Sequence, residues 1–161
     1  MRGECLNHHF TYGTKHQLYP LMSKIGESKN YLTVESQMKT QKSNKRPYGV
    51  GLLVAGSDKS GVHLYETKPD GNFYEYYAIA IGQRCQSAKT YLEKNFETFR
   101  DASLNELIDH AIKAIKASAQ EKEINGDNVN VAYVGKDNHF CTVDKADIQA
   151  AIDKIVGEGE G

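Results

Sequence analysis

The side chains that could act as nucleophile and base are few, and no local motif joins them. Cys85 follows Gly82 at the predicted start of a helix, where the positive end of the helix can lower the pKa of a thiol and make it nucleophilic. A cysteine nucleophile also needs a histidine base within hydrogen-bond reach. The candidates by elimination are His63, His110 and His139. Because free cysteines are most often buried structural residues, a structural thiol is the favoured interpretation, and an independent hydrolase using Cys85 is the alternative.

Glycine and histidine patterns add little chemistry. The serine elbow G-x-S-x-G, the phosphate-binding G-x-x-x-x-G-K-[ST] and the zinc motif H-E-x-x-H do not occur in the sequence. Gly49 and Gly51 lack the third glycine of a dinucleotide fingerprint, so we interpret them as places where a neighbouring backbone comes close. His8, His9 and His16 stand without a set of carboxylates or thiolates, so a solvent-exposed trio is favoured over a metal site. The sequence predicts no catalytic residue, no cofactor and no metal.

Composition argues against several classes of protein. The 161 residues suffice for one domain, and 20 Lys and Arg nearly cancel 21 Asp and Glu, so no basic field attracts nucleic acid or an anionic membrane. The cysteines Cys5, Cys85 and Cys141 form no CxxC pair, which argues against a disulfide framework and a structural zinc site. Neither a membrane-length apolar stretch nor a signal-peptide core at the N-terminus is visible. The expected location is the cytoplasm and nucleus.

The elements that must position these residues change character at Pro47. Residues 1–45 are expected to be irregular, apart from a short helix at 18–25. Beyond them, three apolar or alternating runs separated by Gly- and Asp-containing turns predict an antiparallel meander. Its strands are expected at 48–56, buried on both faces, at 62–67, half-buried, and at 73–81.

The remaining chain predicts two helices, two short strands and a last helix. The first helix follows Gly82, and the second begins at a capping box formed by Ser103 and Glu106. Strands are expected at 129–134 and 139–143, a helix after Asp144, and a disordered tail at 157–161. The order βββ, αα, ββ, α predicts a layered α+β fold in one domain, with residues 46–156 ordered.

Tyrosines crowd the meander and the first long helix. They are Tyr65, Tyr74, Tyr76, Tyr77 and Tyr91. Aromatic side chains with a polar tip are favoured where a surface meets a partner. We expect about half of them in the core and one sheet face in an interface, so a free-standing protein-binding domain is a further alternative.

Motifs spread along the chain resemble the 20S proteasome α-subunit family, and among its members their sequences are most similar to type 1. The resemblance covers nearly all of 37–155 in consistent order. The stretches that carry it are 46–56 (RPYGVGLLVAG), 63–66 (HLYE), 70–72 (DGN), 80–82 (AIG), 86–93 (QSAKTYLE), 105–108 (NELI) and 134–137 (VGKD), together with MR and ECL at 1–6. The family-motif residues, assigned a structural role, are Arg46, Pro47, Tyr48, Gly49, Gly51, Gly82, Gln86, Ser87, Lys89, Gly135, Lys136 and Asp137.

The resemblance implies a four-layer αββα sandwich of the N-terminal nucleophile hydrolase type. It is expected to be incomplete, with the N-terminal helix and first strands absent and extra loop sequence at 30–36. Members of the family form rings that scaffold the proteolytic β rings and dock regulatory caps in ubiquitin-dependent degradation, and they lack the catalytic N-terminal threonine. The implied partners are neighbouring α subunits, underlying β subunits and caps. An incomplete sandwich should leave strand edges and apolar surface uncovered, which predicts marginal stability for the isolated chain.

Overall fold

The computed structural model describes five segments of the chain. They are residues 2–23, 32–43, 46–119, 123–135 and 139–157. The chain divides into two compact units. The first spans Met1–Tyr77 with Gly135–Asp137, and the second spans Ala78–Val134 with Asn138–Gly161. The single domain expected from the sequence stays a prediction.

A three-stranded antiparallel sheet forms the first unit's framework. Strands β1 (Leu52–Asp58), β2 (Gly61–Thr67) and β3 (Phe73–Glu75) lie in the order β1-β2-β3. The two-residue turn between β1 and β2 is closed by the pair Asp58 and Gly61. The meander predicted from alternation and turn residues is confirmed.

Two of the three predicted strands of the meander extended too far at one end. In the β1–β2 register Leu52 faces Thr67, so Val50 would face Pro69, which has no N–H to donate to a ladder. The strand expected from residue 48 therefore begins at Leu52. The third strand, expected to reach residue 81, ends at Glu75, and one further bond joins the Tyr76 N–H to the Leu64 carbonyl at 2.9 Å.

Three helices accompany this sheet: α1 (Arg2–Tyr12), α2 (Leu18–Ser23) and α3 (Leu32–Gln41). α2 begins where the short helix was predicted, and residue 25 lies outside the described residues. α1 and α3 correct the expectation of an irregular 1–45, and residues 32–36 of the expected extra loop belong to α3. α1 buries no side chain, so the amphipathic period that reveals a helix in a sequence is missing there.

α2 covers one face of the sheet and leaves the other open. The Leu18 side chain fills the space beside Gly56, and the rings of Tyr19 and Phe73 are 6.3 Å apart. Tyr65 on this face is only 1% exposed. The opposite face, which we call the open face, carries the side chains of Leu53, Ala55, Ser57, Val62, Leu64, Glu66 and Tyr74.

The open face contradicts the expectation that the first strand is buried on both sides. Leu53, Ala55 and Tyr74 are exposed, Leu64 is half-buried, and Val62 is 66% exposed. In β2 it is the side with His63 and Tyr65 that is covered, because α2 packs there.

The second unit contains the remaining elements in the predicted order. They are α4 (Cys85–Asn95), a 3₁₀ turn (Phe96–Arg100), α5 (Leu104–Ala119), β4 (Ala132–Tyr133), β5 (Cys141–Thr142) and α6 (Lys145–Gly157). β4 and β5 pair as a two-stranded antiparallel hairpin and are shorter than predicted. Residues 158–161 of the expected tail lie outside the described residues.

The predicted capping box at the start of α5 is confirmed. The Ser103 N–H donates to the Glu106 carboxylate at 2.7 Å, and the Glu106 N–H donates to the Ser103 hydroxyl at 3.4 Å. Both bonds satisfy donors that the first turn leaves without intrahelical partners. The sequence signal and the local structure therefore agree at this helix start.

α5 and α6 hold the core of the second unit between them. Its buried members are Ile112, Val129, Ile148, Ile152 and Ile155. The apolar stripe of α5 is wider than this core requires. Leu104, Leu107 and Ile115 on the same helix remain exposed, so α5 carries an uncovered apolar strip along its side.

Candidate functional site

Cys85 is the first residue of α4 and is half-exposed. Arg84 before it has a left-handed backbone with φ of 56°, and the Cys85 N–H donates to the Gly82 carbonyl at 3.4 Å. No hydrogen bond in the described segments joins Cys85 to a histidine. His110 is hydrogen-bonded instead to the Tyr91 hydroxyl at 2.8 Å, and His139 is exposed. The contacts do not support a Cys–His pair.

A different set of polar side chains meets at the tip of the β1–β2 hairpin. We call it the hairpin cluster, formed by Asp58, Ser60, His63 and Glu75. His63 Nε2 lies 2.8 Å from Ser60 Oγ, and His63 Nδ1 donates to Glu75 Oε1 at 2.5 Å. Asp58 Oδ1 accepts from Ser60 Oγ at 2.5 Å and lies 3.4 Å from His63 Nε2. The order serine, histidine, carboxylate is that of a hydrolytic triad.

The electrostatics of the hairpin cluster do not suit a triad. The hydrogen bond to Glu75, with the negative charge of Asp58, raises the pKa of His63. A general base must be neutral to take the serine proton, whereas the raised pKa favours the protonated form of this imidazole over the neutral one. The Ser60 hydroxyl already directs its proton to Asp58. The cluster is therefore a network of hydrogen bonds and opposite charges, which we call the charge clamp, rather than a nucleophile with its base.

Asp58 is the centre of that clamp. Burial alone would raise the pKa of its carboxyl, but hydrogen bonds from the Ser60 side chain and the N–H groups of Leu18 and Ser60, with the charge of His63, lower it to about 2. The bond from the Leu18 N–H is 2.9 Å long and satisfies a free donor at the start of α2. Asp58 thus joins the hairpin to α2.

The first group of motif residues precedes β1. Arg46, Pro47, Tyr48 and Gly49 are all exposed, and the Lys39 ammonium lies 3.8 Å from the centre of the Tyr48 ring. At Gly51 an added Cβ would meet the Thr67 carbonyl oxygen at 3.1 Å, which confirms the predicted close approach of a backbone. At Gly49 nothing lies within 4 Å, so that interpretation is wrong there.

The second group surrounds the start of α4. Gly82 is exposed with φ of 114°, a conformation that favours glycine. Gln86 and Ser87 in the first turn are exposed, and Lys89 is half-buried. The third group follows β4. Gly135 is half-buried two residues past the end of β4, while Lys136 and Asp137 lie outside the described residues. None of these groups forms a reactive constellation, and their structural role stays a prediction.

The tyrosines divide between core and surface. Tyr65 is buried, and burial together with the charge of Glu75 raises its pKa to about 12. Tyr91 and Tyr76 are half-buried, Tyr74 is exposed on the open face, and Tyr77, past the end of β3, is 91% exposed. Of these five tyrosines, only Tyr74 therefore lies on the open face as the strand register defines it.

The open face is a largely exposed surface of the first unit. It carries four aliphatic side chains and one aromatic, together with two polar ones, the half-buried Ser57 and the buried Glu66. Beside it, β1 pairs only with β2 among the described strands, so its outer edge has unpaired backbone groups. Contiguous apolar surface and an open strand edge are the features of a surface that another chain segment covers.

Sites of other kinds are not apparent in the described segments. No helix there is long and apolar enough to cross a bilayer, and no three or more His, Cys, Asp or Glu side chains converge as metal ligands. The hairpin cluster was missed in the sequence because its members come from a turn and three strands. The only available signal was the alternation that puts His63 and Glu75 on one face.

Comparison with known proteins agrees with this α+β arrangement. The sequence profile of the proteasome subunit family matches residues 1–134 of this chain. The chain therefore belongs to the proteasome subunit family.

Within that family the similar proteins are α subunits. The chain is 40% identical over 160 residues to proteasome subunit alpha type-1 of Dictyostelium discoideum, covering 98% of this chain and 62% of the relative. It is 40% identical over 151 residues to alpha type-1 of Drosophila melanogaster, covering 91% and 52%. It is 47% identical over 112 residues to alpha type-6 of Saccharomyces cerevisiae, covering 68% and 48%. The chain spans about half to three fifths of the length of these relatives.

Proposed function

We propose that this chain acts as a non-catalytic α-type subunit of the 20S proteasome core. Its role is to scaffold the α ring in ubiquitin-dependent protein degradation, in the cytoplasm and nucleus. Neighbouring α subunits, underlying β subunits and regulatory caps are its partners, and other subunits supply the peptide-bond cleavage. The names of its relatives support this proposal.

The observation that carries the proposal is the open face. A sheet with a helix on one side and a largely apolar, mostly exposed opposite side is typical of one half of a two-sheet sandwich. Covering a side chain as exposed as Val62, at 66%, stabilises by about 1–2 kcal/mol. Such a surface supports assembly better than it supports chemistry.

The same reasoning supports a four-layer αββα sandwich of the N-terminal nucleophile hydrolase type. The helix layer of the second unit has its own uncovered strip at Leu104, Leu107 and Ile115 of α5. A helix stripe this wide is typical of packing against a sheet as well as against neighbouring helices. We propose that further strands cover the open face and the outer edge of β1.

The test is incorporation into a high-mass complex. Tagged full-length chain is expressed in cells and its sedimentation is followed on a density gradient by immunoblotting for the tag and for proteasome β subunits. Val62→Glu places a charge on the open face, and Phe10→Glu is the matched control because Phe10 lies on α1 and is 93% exposed. We expect the unaltered chain and the control to sediment with the β subunits, and the Val62 variant to remain near the top.

The independent hydrolase is tested separately. A thiol-reactive activity probe that labels the isolated chain and fails on Cys85→Ser would favour the enzyme over the scaffold. If Val62→Glu and Phe10→Glu lose co-sedimentation equally, the open face is not the surface that supports assembly. A monodisperse monomer with a sharp cooperative melt would contradict the proposal that further polypeptide completes the fold.

A further inference from the structure

Two histidines that are eight residues apart in the sequence lie side by side in the first unit. α1 ends at Tyr12, and Gly13 adopts a left-handed conformation with φ of 66°, its N–H donating to the His9 carbonyl at 2.8 Å. This is a common way to end a helix and reverse the chain. The reversal brings the His16 ring to 4.3 Å from the His8 ring, centre to centre.

Hydrogen bonds determine which ring nitrogen carries the proton. His8 Nδ1 lies 3.1 Å from the Thr14 carbonyl oxygen, and His16 Nδ1 lies 2.8 Å from the Gln17 carbonyl oxygen. A carbonyl oxygen only accepts, so both Nδ1 atoms carry hydrogen and both Nε2 atoms have a free lone pair when the ring is neutral. Metal-binding histidines are held in the same way, with the second ring nitrogen donating to a carbonyl.

One of these lone pairs has no partner. His16 Nε2 is buried and makes no hydrogen bond within the described residues. A buried polar atom without a partner is unfavourable and calls for an explanation such as a bound ion. His8 and His16 both line one cavity of about 670 Å³, so an ion held there would lie next to both residues.

We propose that His8 and His16 bind a divalent transition-metal ion through their Nε2 atoms. Imidazole suits Zn²⁺, Ni²⁺ and Cu²⁺. With metal–nitrogen bonds of about 2.0–2.1 Å, two adjacent imidazoles at about 90° on a tetragonal Ni²⁺ or Cu²⁺ ion have ring centres about 4.5 Å apart, close to the 4.3 Å between the His8 and His16 rings. Tetrahedral Zn²⁺ would need about 5.2 Å. Water completes the coordination, because the described residues provide no third ligand from His, Cys, Asp or Glu.

The charges around the cavity are mixed. The Asp58 carboxylate lines it and favours a cation, whereas the exposed ammonium groups of Lys15 and Lys59 oppose one. With two protein ligands and this surrounding, the affinity is set by the imidazoles rather than by the local field. The site is therefore selective for metals that prefer nitrogen over those that prefer carboxylates.

The experiment is isothermal titration of the purified full-length chain with NiCl₂ and ZnCl₂ in a non-chelating buffer. His8→Ala and His16→Gln each remove one ligand, and His9→Ala is the matched control because His9 is the exposed neighbour on α1. Loss of a ligand's outer partner alone weakens metal binding about 10–100-fold. We expect at least this loss in both ligand variants and one ion per wild-type chain, with the His9 variant unchanged.

A second measurement does not depend on the folding of any variant. Paramagnetic Ni²⁺ should broaden the imidazole proton resonances of His8 and His16 in the wild-type chain before those of His63. Equal weakening by His9→Ala, wild-type affinity in both ligand variants, or broadening of all six histidines together would overturn the assignment. None of these outcomes bears on assembly into a high-mass complex.

Discussion

Replacement of Asp58 by asparagine tests the charge clamp at the hairpin tip. The carboxylate accepts hydrogen bonds from the Leu18 N–H at 2.9 Å, the Ser60 N–H at 2.8 Å and the Ser60 hydroxyl. Asparagine has nearly the same shape but only one acceptor oxygen and no charge. The variant therefore loses part of this network while the volume of the side chain is kept.

The expected loss follows from the pKa of Asp58. It is lowered from 3.8 to about 2, and each unit corresponds to about 1.4 kcal/mol. The Asp58 side chain is only 5% exposed, so it is largely shielded, but the cluster lies at a hairpin tip where solvent screens charges. We expect Asp58→Asn to lower the free energy of unfolding by about 1–2 kcal/mol at pH 6.

The way in which stability changes with pH follows from the direction of the Asp58 pKa shift. Because folding lowers this pKa, the stabilisation is complete above pH 3.8, the ordinary value, and is lost as the pH falls toward 2. Urea denaturation followed by circular dichroism at pH 6, 4 and 2.5 measures it, with Asp101→Asn as control because Asp101 is an exposed aspartate. Hydrogen exchange of the Leu18 amide gives a local readout, and it should accelerate in the variant.

Two results would refute the reasoning. One is a stability difference between wild type and Asp58→Asn that is as large at pH 2.5 as at pH 6. The other is unchanged protection of the Leu18 amide, which would show that the bond from α2 to Asp58 contributes nothing. An effect of similar size in Asp101→Asn would point to net charge rather than to this cluster.

Three further predictions test other contacts. The hydrogen bond from His63 to Glu75 raises the pKa of His63 above its ordinary value of 6.5. The stability that this bond contributes is therefore present below pH 6.5 and is lost as the pH rises through the pKa of His63 in the folded chain. An NMR titration should show the raised pKa in the wild type and a lower one in Glu75→Gln. At Gly126 an added Cβ would lie 2.7 Å from a backbone carbonyl oxygen, so Gly126→Ala should destabilise by about 1–3 kcal/mol in urea denaturation, while Gly49→Ala, which meets nothing, should not. Ser103→Ala removes the helix cap and should lower stability by about 1 kcal/mol, and a melt identical to wild type would contradict the capping box.

Local signals in the sequence identified the second unit well. The capping box at Ser103 and the stripes of α5 and α6 arise from interactions within one or two helical turns, which a sequence displays directly. The chain order of strands and helices followed from the same periodicities. Element ends were less accurate, because the start of β1 depends on which residue faces Pro69, and register is a property of two strands together.

The functional surfaces could be predicted only in part. Alternation identifies two faces of β2 but not which one α2 covers, so the exposure of Val62 could not be read from it. The hairpin cluster and the His8–His16 pair join residues through turns, and no regular period relates their positions. The resemblance of 46–56 to α subunits identified the family, because a motif can be recognised in a sequence without knowing which residues it contacts.

The hydrogen bond from Leu18 to Asp58 also has a consequence for the order in which the chain folds. α2 has six residues, too few to be stable alone in water, and its cap lies 40 residues further along. At about 5–20 residues per second on the ribosome, that carboxylate follows roughly 2–8 seconds after Leu18. α2 must therefore wait for the hairpin before its first N–H group finds its acceptor.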